Sequence, residues 1–281
     1  MNFEASTIDE LSNIQIWNLY QQCKALKKTH DLLEWMEMEN TTNMSKSDLT
    51  EMCIRILGQL EKFMSQLLFM VNMVNRSQKK NPDVLSEGMY QELFVRYAGI
   101  FGLEIKCVPN VPKYSLEINN IEVQVEPDGL AVYPHSNTLL AVVEVQCQTE
   151  VKKHYCREFG EENVKRLHST NKRFSPAQHI NSSLKGQHLA QLLATMPQST
   201  YYGSKPQKMY GFIVQGTEVC VTSFTLLNED FLNDLKEGKL PREDCAEMRY
   251  STNCNILSLQ GRLGLLSTLV EMSSLQAKLI I

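Results

Sequence analysis

Acidic and amide side chains gather in one short region of the chain. Glu126-Pro127-Asp128 closes a run that begins at Ile121, and Glu144-Val145-Gln146 ends a run that begins at Leu139. Val, Ile, Leu and Ala fill both runs, and Pro134, His135, Ser136 and Asn137 separate them, the pattern of a β-hairpin. A three-residue turn centred on Ser136 would set Asp128 directly opposite Glu144 and Glu126 opposite Gln146. Opposed residues have Cβ atoms roughly 4.5–5.5 Å apart, and residues two apart share a face. A slip of one residue would send Asp128 and Glu144 to opposite faces and dissolve the cluster. Two carboxylates held together in a half-buried place repel and lose hydration. A hard divalent cation, Mg²⁺ or Mn²⁺, removes that penalty; Mg²⁺ is typically held by one or two carboxylates, completed by water and substrate phosphates. The competing reading is a pair of solvated acids at a strand end. Against it, Leu139 to Val143 is apolar on both faces, as in a central strand, and polarity begins only at Glu144.

Asp128 after a proline, with Glu144-x-Gln146 on the partner strand, resembles the PD-(D/E)XK motif of restriction-endonuclease-like nucleases. That family sets the Asp at the start of one strand and the (D/E)xK on its hairpin partner. The departure is Gln146, where the family usually has Lys; an amide can orient water but cannot act as an acid or offset charge. The run from about residue 86 to 226 resembles the nuclease-fold domain of Crinkler-type effectors and related eukaryotic proteins. KGQHLAQLLATM followed by YGFIVQGTEVCVTSF carries most of that likeness. The resemblance implies metal ligation by Asp128 and Glu144, with a further acid from the helix before the hairpin. Glu87, at the edge of that helix's apolar stripe, fits better than Glu92, although the helix dipole favours a first-turn Glu in any case. It also implies a glutamine near the start of the following helix, over the active-site end of the sheet. Gln187 is nearer that start than Gln191, and its alternative is a helix-surface amide.

The elements that must position these residues can be read around them. Thr7-Ile8-Asp9-Glu10 fits a capping box opening a helix to about Glu39, with Ile8, Leu11, Ile14 and Leu19 on its apolar side. After a break at Asn40–Asn43, a second helix opens at Ser47-Asp48, and Met64, Met70 and Met73 read as its core filler. These two make an αα-hairpin that packs on the body or pairs with another copy. Ser86 to Phe101 is a third helix buried through Tyr90, Leu93, Phe94, Tyr97 and Phe101, ended by Gly102. Leu103 to Leu116 is a strand bent by Pro109 and Pro112. Ser182-Ser183 caps a helix ending at Pro197, and residues 208–224 form a second hairpin turning at Gly216. Residues 228–237 and 257–278 read as closing helices. The fold class is α/β, a central mixed sheet flanked by helices, restriction-endonuclease-like, with an N-terminal helical hairpin. Residues 1–80 form that helical extension and 81–281 the nuclease-like domain.

The stretch from Glu150 to His188 is the most basic part of the chain and a candidate phosphate-binding surface, led by Lys152, Lys153, Arg157 and Lys185. Either Lys152 or Lys185 could supply the charge that Gln146 lacks. Glu158, Glu161 and Glu162 within it also fit a solvated mixed-charge helix. Cys147, His154, Cys156 and His168 match no common zinc spacing. The net charge of −4 argues against a broad nucleic-acid footprint, leaving a local one. Eight cysteines without CxxC pairs, no signal-like N-terminus and no membrane-length apolar run indicate an intracellular protein, nuclear or cytoplasmic, with no membrane span. Two functions follow: a metal-dependent nuclease acting on DNA or RNA, or a catalytically degenerate nuclease fold that binds nucleic acid or a protein partner. A third reading is an adaptor working through the N-terminal helices, which also offer a homodimer surface.

Overall fold

A computed structural model describes residues 8–26, 46–77, 84–133, 138–146, 182–200, 206–228, 230–239 and 245–278, with positions 5, 180 and 203. The architecture is α/β, with a mixed seven-stranded sheet between helical layers. Helices α1 (Asn13–Leu26), α2 (Lys46–Arg76) and α3 (Glu87–Ile100) come first. The strands are β1 (Ile105–Cys107), β2 (Tyr114–Ile118), β3 (Ile121–Val125), β4 (Gly129–Val132) and β5 (Leu139–Gln146). Helix α4 (Ser182–Thr195), β6 (Gln207–Gln215), β7 (Glu218–Leu226), α5 (Asp230–Lys236), β8 (Ala246–Tyr250), β9 (Cys254–Asn255) and α6 (Leu259–Lys278) complete it. The sheet order is β1-β4-β5-β6-β7-β8, with β9 also on β7; among the described strands the β5–β6 pair is parallel and the others are antiparallel.

The N-terminus departs from the expected continuous helix. Ile8–Glu10 form a 3₁₀ turn, and α1 begins only at Asn13. A 3₁₀ turn eclipses residues three apart, so Ile8 and Leu11 are buried together while α1 then turns Ile16 inward. Ile14, expected in the apolar stripe, faces outward beside Trp17. The Asn40–Asn43 break lies outside the described residues. Helix α1 packs on α2, α2 on α3, and α3 on the sheet, so the expected extension shares one core with the body. Phe63 of α2 meets Tyr97 with ring centroids 5.6 Å apart, and Phe94 meets Phe212 of β6 at 5.2 Å. Met64 and Met70 are fully buried there. Gly102, at φ +84°, ends the α3 segment in a conformation that glycine accepts without strain.

Strand β5 is buried along its whole length. Its register with β4 pairs Gly129 with Val143, Leu130 with Val142 and Ala131 with Ala141, then Val132 with Leu139. Leu140 is therefore the extra residue of a β-bulge. Consistent with that, Leu140 and Ala141 both join the core on the α3 side, whereas Leu139 and Val142 face α4. The expected first strand of the hairpin is two strands. Ile121–Val125 leaves the sheet to pair with β2 through the two-residue turn Asn119-Asn120, both residues at positive φ. Pro127 sits at the crossover into β4. The single bent strand expected over Leu103–Leu116 is instead two, β1 at the edge of the main sheet and β2 in the two-stranded sheet, because the stretch holding Pro109 and Pro112 breaks it. The β6–β7 hairpin turns at Gly216 as expected, and β8 and β9 add to the expected elements.

Helix α6 closes the α3 side. The Tyr97 hydroxyl donates to the Arg262 carbonyl at 3.3 Å. Gln276 accepts from the Glu104 amide at 2.8 Å and donates to the Glu104 and Val132 carbonyls at 2.9 and 2.7 Å. No helix among the described residues is long and apolar enough to cross a membrane. At Gly261 an added Cβ would stand 2.0 Å from the backbone oxygen of Asn255 in β9. Gly261→Ala should lower stability by about 1–3 kcal/mol, read as the urea midpoint; an unchanged midpoint would mean that α6 is free to shift off β9.

Candidate active site

Extending the β4–β5 register by one pair beyond Gly129 and Val143 brings Asp128 to Glu144. The Asp128 carboxylate accepts from the Val145 amide at 2.7 Å. Its carbonyl is held from outside the hairpin, by Gln91 Nε2 of α3 at 2.5 Å and the Val108 amide at 3.3 Å. Glu144 is 3% exposed, and its Oε2 accepts from Gln191 Nε2 of α4 at 2.5 Å. The two carboxyl groups hydrogen-bond to each other. Burial, the Asp128 charge and the nearby charge of Glu87 push the Glu144 carboxyl up to about 8, against the pull of Gln191. Asp128 is raised as well, chiefly by burial, with the Val145 amide acting the other way. Such a pair cannot hold two full charges cheaply, so it keeps a proton or takes a cation.

The other expected residues divide. Glu87 opens α3, half-buried, close enough for its charge to act on Glu144. Gln146 is buried on the same face as Glu144, and its Oε1 accepts from Gln215 Nε2 on the neighbouring strand at 3.5 Å. Glu126 does not converge with them. The chain turns at Pro127 before entering β4, and the exposed Glu126 carboxylate pairs with Lys113 at 3.3 Å. Gln187 is exposed, and Gln191 takes the position expected of it. The buried stripe of α4 is Leu184, His188, Gln191, Leu192 and Thr195, and Gln187 falls off its edge. Lys185 reaches outward, its ammonium 5.3 Å from the Tyr250 ring centroid on β8, three strands from β5. Lys152, Lys153 and Arg157 lie outside the described residues, as do the four zinc candidates.

Beside the acids runs a buried polar row that the sequence reading missed. His188, 0% exposed, contacts Thr222 Oγ1 through Nε2 at 2.8 Å and also interacts with Gln191; burial pushes its pKa down to about 4. It rests on Gly211, where a Cβ would lie 2.6 Å from His188 Nε2. A glycine inside a strand is a signal for such a close approach. A cleft of about 820 Å³ between β2, α4 and α5, lined in part by Glu117, Leu193 and Lys236, contains neither carboxylate.

No family model, curated protein or solved structure matches this chain.

Among the described residues, no group of three or more His, Cys, Asp or Glu side chains is arranged to hold a metal ion. The donor set that is present is two adjacent carboxyls, both pushed upward chiefly by burial, with the charge of Glu87 acting at longer range. A hard cation asks for no more from a protein than one or two carboxylates, water supplying the rest. The residues therefore fit Mg²⁺ or Mn²⁺, which would replace the proton.

The protonated pair makes stability depend on pH. From the ordinary glutamate value of 4.5 up to about 8, the folded chain retains a proton on Glu144 that the unfolded chain loses, so stability falls as pH rises through that window. Glu144→Gln should gain stability relative to wild type between pH ~5 and ~8 in EDTA, measured as urea midpoints. Parallel pH profiles would mean that Glu144 ionises normally.

Proposed function

We propose that Asp128 and Glu144 form the cation site of a metal-dependent phosphodiesterase acting on DNA or RNA, and that the chain is a divergent relative of the PD-(D/E)XK nucleases. The observation that carries this reading is the hydrogen-bonded carboxyl pair, one acid just before a strand and the other on its buried partner strand. Asp128 and Glu144 would hold Mg²⁺ or Mn²⁺, with Glu87 joining directly or through water. When bound, the cation lowers the pKa of an attacking water and offsets charge growing on the scissile phosphate. Gln146 keeps its Oε1 on Gln215, which leaves its NH₂ to hold and orient that water. Gln191 holds the Glu144 carboxylate in place. Lys152, Lys153 and Arg157 would contribute phosphate contacts, with Lys185 too far from the acids to join them, and a homodimer would form across α1, whose Ile14 and Trp17 face outward.

The second reading, a degenerate nuclease fold that binds nucleic acid or a protein partner, is favoured by one observation. Gln146 is engaged with another amide where the family motif has a cation. Cleavage of labelled single- and double-stranded DNA and RNA in Mn²⁺, Mg²⁺ or EDTA separates the two. The nuclease reading expects metal-dependent cleavage that falls to background in Asp128→Asn and Glu144→Gln and survives in Gln146→Lys. Absent cleavage, together with no Mn²⁺ binding by calorimetry, would leave the binding module.

A further inference from the structure

We infer that Thr222 and His188 form a one-way hydrogen-bond relay that fixes the carboxamide of Gln191 as a donor to Glu144. As positioning residues, they set the orientation of one acid of the proposed metal site, and their kinetic consequence rests on that reading.

The direction follows from donor and acceptor accounting. Gln191 Nε2 is committed to Glu144 Oε2 at 2.5 Å, with the Glu126 carbonyl at 3.5 Å beyond it. An ionised or shared carboxylate oxygen accepts, and a carbonyl can only accept, so the nitrogen of Gln191 must face them. Its Oε1 is then turned back along α4 toward His188, one turn away on the same buried stripe. Two buried atoms in this row lack a well-aligned partner, Gln191 Oε1 and His188 Nδ1, and they belong to side chains that interact. Each completes the other if Nδ1 carries the proton. A neutral imidazole has one donor and one acceptor. With Nδ1–H given to Gln191, Nε2 is the acceptor, and Thr222 Oγ1–H at 2.8 Å is its donor. The chain of donation runs Thr222, His188, Gln191, Glu144.

The surroundings are shaped for this arrangement. His188, Gln191 and Thr222 are each 0–1% exposed, so water does not compete for these bonds. Burial also keeps the imidazole neutral, its pKa depressed to about 4. Gly211, opposite Thr222 in the β6–β7 ladder, leaves the slot that the ring occupies; a Cβ there would meet His188 Nε2 at 2.6 Å and Thr222 Oγ1 at 2.8 Å. Reversing the Gln191 amide would set its oxygen against the Glu144 carboxylate oxygen and the Glu126 carbonyl.

Nitrogen-15 NMR of His188 tests the relay directly, and it does so whether or not the protein cleaves nucleic acid. The expected result is a proton on Nδ1 in wild type, a mixture of tautomers in Thr222→Val, and recovery in Thr222→Ser. In the cleavage assay, Thr222→Val should lower kcat about tenfold at nearly constant KM, the lower end for groups that orient a metal ligand, and Thr222→Ser should restore it. A proton on Nε2 in wild type, or an identical tautomer in Thr222→Val, would overturn the relay. If Thr222→Val does not fold, the wild-type tautomer decides alone. Absent cleavage in wild type would count against the nuclease reading while the tautomer result still stands.

Discussion

Two carboxyl groups buried within hydrogen-bonding distance must share a proton or a cation, and the surroundings of Asp128 and Glu144 are arranged around that demand. Glu144 lies on a strand buried along its whole length, so it cannot swing out to water. Asp128 sits at the entry to β4, less deeply buried, and its backbone is tied to Gln91 of α3 and to Val108 just after β1. The groups that hold the pair are neutral amides: the Val145 backbone, Gln191 and, behind the main chain, Gln91. Neutral donors fix geometry without cancelling charge. The cost of ionising the pair is therefore left for a proton or a cation to relieve.

The register that brings the acids together was legible in the sequence, but by a route that differs from the structure. A three-residue turn at Ser136 would pair Asp128 with Glu144. In the structure Tyr133 is already joined to Thr138, which closes four residues, and the bulge at Leu140 restores the register for the acids. Sequence alone carries no strong mark of a bulge inside an apolar run, because both sides of the sheet accept Leu and Ala there. The strand pattern through Ile121–Val125 would set Glu126 opposite Gln146, but the break at Pro127 and the Asn119-Asn120 turn move that strand to another sheet.

Helix α4 illustrates a different limit. Its existence and its position after the hairpin follow from capping and periodicity, yet choosing between Gln187 and Gln191 needed the buried stripe rather than distance from the helix start. Leu184, His188, Leu192 and Thr195 define that stripe, and Gln191 is on it. The polar residues within the stripe were hidden because a lone histidine or threonine among leucines gives no periodic signal of its own. Strands β8 and β9 are short and half-buried, which leaves little hydrophobic pattern to read.

The Gln276 clamp has a bearing on how the chain is made. Its carboxamide bridges positions 172 and 144 residues earlier, at the approach to β1 and the end of β4. During synthesis the β1–β4 margin of the sheet, which carries Asp128, must wait for residue 276 before this seal can form. Contacts of such long sequence separation form late and slowly, because loop closure precedes any gain from them. The β1–β4 margin therefore stays unsealed until Gln276 has emerged and α6 has docked.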